Sequence, residues 1–325
     1  MEFPARHGDR RKGFIVKAQF FRPAHFSRWH FRTVCVTALS ETFSFILCAD
    51  DYAMTPAVSR GILEALDVGA LNATSAMTTS PWWPESAAAL APYAPRASIG
   101  LHLNLTLGAP LGPCPKLAPR GLFPAIGSYL RSRDLPLEEI DAEIGRQIDA
   151  FTSVTGRPPD HLDGHQHVHV LPPIRALVLR HLVQRGFAGK VWLRDSADRP
   201  SRIVSRGSTL KKALGLAWIA RGFAGQARAE GFAVNDGFSG YSDFRPEDDY
   251  STFFSRYLKS PGRRHLVMCH PGYVDNALRK LDPVTESREK ELAFLLSPGF
   301  GEMLARHGAR LDGSVALASP RHNLP

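Results

Sequence analysis

The segment "DHLDGHQHVHVLPPIRALVLRHLVQRG", Asp160–Gly186, sets four histidines and two aspartates in its first eleven residues and then changes texture. Asp160–His165 reads as a short strand. The stretch after it reads as a helix, because proline is tolerated in a first turn and glycine marks a helix end. In an extended chain alternate residues share a side, which would align His161, Asp163, His165, His167 and His169. Pro172 and the helix arrive too soon for all five to stay aligned. One or two of the histidines are therefore expected to reach a common point, and the others to cap or line the pocket around it. Histidine is the commonest neutral metal ligand and a carboxylate its usual companion. The segment is one βα unit with its chemistry at the strand's exit.

Units of the same kind lie on both sides. "FILCADD" (Phe45–Asp51) is a strand, and the helix after it has Thr55 as N-cap, Pro56 in its first turn and Gly69 as its stop. "LNATSAMTT" is the second strand, followed by a helix led by Pro84, and "SIGLHLNLT" (Ser98–Thr106) is the third. A Gly/Pro-rich loop leads to the helix "PLEEIDAEIGRQIDAFTSVTG". Lys190–Arg194 is the fifth strand, Phe232–Asp236 the sixth and Arg264–His270 the seventh, with Arg206–Glu230 mostly helical between the fifth and sixth. "ESREKELAFLLSP" is a late helix and Ala309–Leu311 a short last strand. Strands alternating with helices pair in parallel, with right-handed crossovers that put the helices outside. Seven or eight such units in roughly 280 residues make an α/β fold of the TIM-like (β/α) barrel kind rather than an open sheet.

The 325 residues are 44% hydrophobic and 22% charged, as in a globular domain. No apolar run reaches the length of a membrane span. The net charge of +9 suggests a nucleic-acid partner, but eight Lys/Arg against three Asp/Glu in residues 1–44 account for +5 of it. Residues 1–44 are thus expected to be a disordered basic extension, residues 45–325 the barrel domain, and nucleic acid no partner. Cys35, Cys48, Cys114 and Cys269 are scattered, without a C-x-x-C pair. Reduced, packed thiols and the lack of a convincing signal peptide point to the cytoplasm. A homodimer is allowed by the sequence.

The chemistry-bearing residues fall at strand exits. Asp50 and Asp51 end the first strand, His102 lies near the exit of the third, and His165 ends the fourth. Arg194 closes the fifth, Asp236 the sixth and His270 the seventh. In a barrel those exits ring one pocket. Taken singly, each has a plainer role: an Asp-Asp pair caps turns, and a strand histidine hydrogen-bonds within a core. Together they form a set. Asp51, His102 and His165 supply two imidazoles and a carboxylate, an open coordination sphere for a divalent metal, and Asp50 is left free as a base. That free acid argues against the alternative of a non-catalytic metal- or sugar-binding barrel.

"ILCADDYAMTPAVSRGILEAL", "IGLHLNLT", "HLDGHQHVHVLPPI", "MCHPGYVD" and "TESREKELAFLLSP" together resemble the YdjC-like carbohydrate deacetylases, over residues 45–313 and in family order. The resemblance implies a distorted (β/α) barrel and a hydrolase that removes acetyl groups from small N-acetylated saccharides of the chitooligosaccharide type with a metal-activated water. It implies magnesium held by Asp51, His102 and His165, with Asp50 as general base and His270 as acid; the nitrogen-rich donor set suits zinc or another transition metal as well. Hopanoid-associated members share these motifs, which keeps a glycolipid head group open as substrate. Tyr52, Arg194 and Asp236 are candidate substrate contacts, with Tyr52, Trp82 and Trp83 as sugar-stacking platforms and Arg194 also able to steady Asp50. The family usually has Phe-Gly where this chain has Tyr52-Ala53, and Ala53 gives up glycine's backbone freedom.

Overall fold

The computed structural model describes residues 42–312. The expected disorder of residues 1–44 thus falls almost wholly outside the described residues, and the first strand opens at Phe43, two residues ahead of the expected boundary. Nine strands are present among the described residues: β1 (Phe43–Tyr52), β2 (Ala73–Ala76), β3 (Ser98–Leu103), β4 (His161–Gly164), β5 (Trp192–Leu193), β6 (Ala233–Val234), β7 (Gly237–Ser239), β8 (His265–Cys269) and β9 (Ala309–Leu311). Every ladder is parallel. β3, β4 and β8 are buried along their whole length, as strands covered outside by crossover helices and inside by the barrel's own side chains must be.

The helices form where capping and apolar spacing favour them. Pro56–Asp67 starts on Thr55, whose hydroxyl accepts from the Val58 N–H at 3.3 Å, and stops before Gly69 at φ +73°. Leu137–Thr155 ends on Gly156 in the left-handed region. From this helix Gln147 trades hydrogen bonds with the backbone N–H and carbonyl of Asn104, at 2.9 and 2.6 Å, and so fixes the chain just past β3.

The sheet runs β6-β5-β4-β3-β2-β1-β8-β7, with β9 added beside β1. Its two edge strands, β6 and β7, are separated in sequence only by Asn235 and Asp236. The curled sheet therefore stays open at one seam, and the chain itself crosses it. Asn235 stands in for the missing ladder: its side chain accepts from Asp195 N–H at 2.7 Å and donates to the carbonyls of Asp195 and Gly237 at 2.9 and 3.1 Å. The expected TIM-like barrel is thus an incompletely closed one, and Arg264–His270 is its eighth strand because Gly237–Ser239 forms a strand of its own.

The barrel interior also holds polar side chains toward the strand entries. His161 stacks on Trp192 with ring centroids 4.3 Å apart, and its Nδ1 lies 2.8 Å from the Ser98 hydroxyl. A β-carbon on Gly100 would come within 2.4 Å of that imidazole, so only glycine fits on β3 there.

Candidate functional site

In a regular strand Asp50 and Asp51 would point to opposite faces. Here the β1–β2 register slips between Ala49 and Tyr52, and Asp51 takes φ +69°. The bulge turns both carboxylates toward one cavity of about 370 Å³. Ala53 follows at φ +67°, in the left-handed region that glycine occupies freely and that costs an L-residue about 1–2 kcal/mol.

Three side chains from three strand exits meet at the floor of the cavity. Asp51 Oδ1 lies 3.2 Å from His102 Nε2 and 3.1 Å from His165 Nδ1. One donor atom from each of the three falls within 4.8 Å of the others. The partners behind them set their orientation. Arg288 donates to Asp51 Oδ2 at 2.8 Å, which leaves Oδ1 for the imidazoles. Asp163 Oδ1 lies 2.7 Å from His102 Nδ1, with the Ser75 hydroxyl at 3.0 Å, which leaves Nε2 facing Asp51. A carboxylate behind a ligating imidazole is the usual means of fixing its tautomer and raising its basicity.

The electrostatics agree with a cation at that point. Burial disfavours the Asp51 carboxylate, but Arg288, His102 and His165 outweigh it and hold its pKa well below the usual range. Burial likewise disfavours a charged His102, yet Asp163 and Asp51 push its pKa up to about 10. The field at Nε2 thus favours positive charge strongly, and two imidazoles with one carboxylate fit a divalent ion.

Asp50 stands beside this group without belonging to it. Arg194 grips it through two hydrogen bonds of 2.6 Å and also contacts Asp163 Oδ2. Burial pushes the Asp50 pKa up, with Asp163 adding to the rise and Arg194 opposing it. His270 Nε2 is 3.9 Å from Asp50 Oδ2, and the His270 backbone N–H donates to the Glu291 carboxylate at 2.7 Å. Burial pushes the His270 pKa down to about 3, so the ring is neutral at rest. Phe244 meets this ring edge-on at 5.0 Å, and Lys212 lines the same cavity with its ammonium 4.7 Å from the Phe244 centroid.

Three candidate substrate contacts are placed elsewhere. Tyr52 is fully buried, and its hydroxyl donates to the Ser86 carbonyl at 2.7 Å, beneath the helix Trp83–Leu90. Arg194 is fully buried under the cavity floor, where it holds Asp50 and Asp163 rather than substrate. Asp236 sits at the opposite end of the barrel, because its backbone N–H and Oδ1 pair with Arg264 at the entry of β8. Trp83 is packing, stacked on Phe151 at 5.3 Å, and Trp82 does not line the cavity.

Sequence reasoning missed Arg288 and Glu291. Both lie on the helix Glu286–Leu295, in the buried stripe Arg288, Glu291, Leu292, Leu295. Charged residues at apolar-stripe spacing were the available signal. Burial pushes the Glu291 pKa up from 4.5 to about 7, against the His270 N–H and Arg288, which lower it. The folded chain then binds more protons than the unfolded one between those values, so stability falls as pH rises through that window. Glu291→Gln keeps an acceptor for His270. In denaturant melts it should match the wild type near pH 4 and exceed it at pH 8 by on the order of 1–3 kcal/mol. A gap that does not grow with pH would mean that Glu291 is not held protonated by the fold.

Comparison with known proteins fits this geometry. Residues 44–306 match the family model described as YdjC-like protein. The chain belongs to the YdjC-like family. Chitooligosaccharide deacetylase from Enterobacter sp. (strain 638) is 33% identical over 277 residues, covering 84% of this chain and 98% of the relative. Its counterpart from Salmonella typhi is 32% identical, covering 82% and 98%. A solved structure from Enterococcus faecalis V583, named for cellobiose-phosphate cleavage, superposes with a TM-score of 0.64 at 26% identity, covering 86% of this chain and all of the other. This YdjC-like chain is an enzyme of the hydrolase class. No helix among the described residues is long and apolar enough to cross a membrane.

Proposed function

We propose that this YdjC-like protein removes the acetyl group from a small N-acetylated saccharide of the chitooligosaccharide type, using a divalent ion held by Asp51, His102 and His165. The observation that carries this reading is the convergence of those three donors on one side of a roomy cavity with a separate carboxylate, Asp50, beside them. Binding alone needs no such base. The ion, when bound, supplies Lewis-acid polarisation of the acetyl carbonyl and a more acidic water. Magnesium is the choice by family resemblance, and the two imidazoles suit zinc as an alternative.

The chain's own groups then move one proton. Asp50 keeps lone pairs beyond those engaged by Arg194, and burial raises its basicity, so it accepts the proton of the attacking water. His270 is too far below neutrality to be the acid at rest. Its Nε2 is 3.9 Å from Asp50 Oδ2, longer than a hydrogen bond, so the proton passes to it through one bridging water and from it to the departing amine. Arg194 keeps Asp50 aimed, and Asp163 keeps His102 aimed. The buried thiols Cys48, Cys114 and Cys269 suit a reducing compartment, and we place the reaction in the cytoplasm.

A second concavity, of about 600 Å³, favours a variant of this reading. It is walled by Leu130, Leu171, Pro172 and Trp218, and Trp218 is 76% exposed. The helix Ile126–Arg131 puts Ile126 in the catalytic cavity and Leu130 in this groove, so a substrate bearing an apolar tail would find both within one helical turn. The test is acetate release from N-acetylated oligosaccharides and from an N-acetylglucosamine alkyl glycoside, on protein stripped with chelator and then reloaded. Release should appear only with added ion, and preference for the glycoside would favour the tailed substrate. His102→Ala and His165→Ala should lose bound metal and activity together. Full activity in the stripped wild type would overturn the scheme.

A further inference from the structure

Four histidines crowd residues 161–169, and three have evident tasks. His161 packs on Trp192 inside the barrel, His165 belongs to the metal group, and His169 Nε2 lies 2.8 Å from the Arg194 carbonyl. His167 has none of these tasks. It lines the catalytic cavity, half-buried, two residues beyond His165. To bring it there the backbone takes two consecutive left-handed residues, Gln166 at φ +50° and His167 at φ +59°. Non-glycine residues hold such conformations at a cost of about 1–3 kcal/mol each and do so mostly at functional sites.

The ring is fixed from the side away from the cavity. Its Nδ1 lies 3.2 Å from the Ser196 hydroxyl, and Phe238 and Tyr241 meet it edge-on at 5.8 and 5.9 Å. Ser196 is itself pinned, since its carbonyl accepts from the Tyr241 hydroxyl at 2.7 Å. Nε2, across the ring from the anchored nitrogen, has no protein hydrogen-bond partner among the described residues. We infer that His167 is a specificity-determining residue, whose Nε2 makes a direct hydrogen bond to the saccharide in the cavity. The inference rests on the deacetylase reading above. An imidazole offers a donor or an acceptor at this nitrogen, and a saccharide hydroxyl can complement either.

The test is steady-state acetate release from diacetylchitobiose by the metal-loaded protein. His167→Phe keeps a flat ring against Phe238 and Tyr241 but has no nitrogen. It should raise KM roughly three- to tenfold, the usual worth of one neutral hydrogen bond, with kcat within about twofold. Bound metal per chain should not change. His167→Asn suits a left-handed backbone and withdraws the ring, so it gives the same rise if the Phe variant folds poorly. An unchanged KM in a folded, metal-loaded variant overturns the role of His167 alone. A metal-loaded wild type that releases no acetate from any N-acetylated saccharide overturns the deacetylase reading, and this inference with it.

Discussion

Asp50→Asn should lower turnover by roughly 10²–10⁴-fold, the range expected when general-base assistance is removed, while the bound metal stays in place. The separation follows from the geometry. The metal group we propose is Asp51, His102 and His165, with Asp50 outside it, so on that reading an amide at position 50 leaves the three donors and their partners Arg288 and Asp163 untouched. An asparagine still accepts one hydrogen bond from Arg194 but cannot take a proton from water. The loss should fall on kcat, with KM little changed, because the group acts as the reaction proceeds and not in holding the saccharide. Metal analysis alongside kinetics decides the matter. If the variant loses its ion, Asp50 is a ligand and the division of labour between the two aspartates is wrong. If it keeps both ion and turnover, the base is another group.

That division was legible in the sequence only in part. Asp50, Asp51, His102, His165 and His270 all stand at strand exits, and parallel strands with outside helices bring exits together, so a cluster could be read from order and spacing. What spacing could not supply was the bulge at Asp51. A period of two puts neighbours on opposite faces, and only the slipped register and a left-handed Asp51 put both acids in one cavity. The seam of the barrel was hidden for a related reason. β6 and β7 have two and three residues, too few to show a period, and a single asparagine side chain does the work of a ladder between them. Asp236 was misplaced because "FAVND" looks like a strand that ends in an acid, whereas the strand ends at Val234 and the acid turns back to the entry of β8. Arg194 was read as a strand-exit residue able either to contact substrate or to steady Asp50. Its backbone is at the exit of β5, and its long side chain passes under the floor to reach two carboxylates, Asp50 among them. The protonation of His270 was beyond sequence altogether, since it depends on burial contributed by distant parts of the chain.

Arg194→Leu should lower stability by about 3–5 kcal/mol, the cost of breaking a buried ion pair from one side. Arg194 is fully buried, and so are the two carboxylates it bridges, Asp50 and Asp163. Leucine fills some of the volume but leaves both buried acids without their counter-charge. Burial works against the Asp163 carboxylate, while Arg194 and His102 overcome it and hold its pKa well below the usual value. A depressed folded-state pKa means that this contribution is present above the ordinary carboxylate pKa near 4 and is lost as pH falls below it. The deficit of Arg194→Leu against the wild type should therefore be greatest at neutral pH and shrink on acidification below about pH 4. Lysine at the same position restores a charge but not the planar fork that meets Asp50 through two hydrogen bonds, so it should recover only part of the stability. Adding Asp163→Asn to Arg194→Leu removes one stranded charge and should recover part of it by a different route. Chemical denaturation at several pH values measures all of these. A deficit that is the same at pH 3.5 and pH 7 would show that leucine fails by packing, and that the bridge between the base and the carboxylate behind His102 is not what holds this floor together.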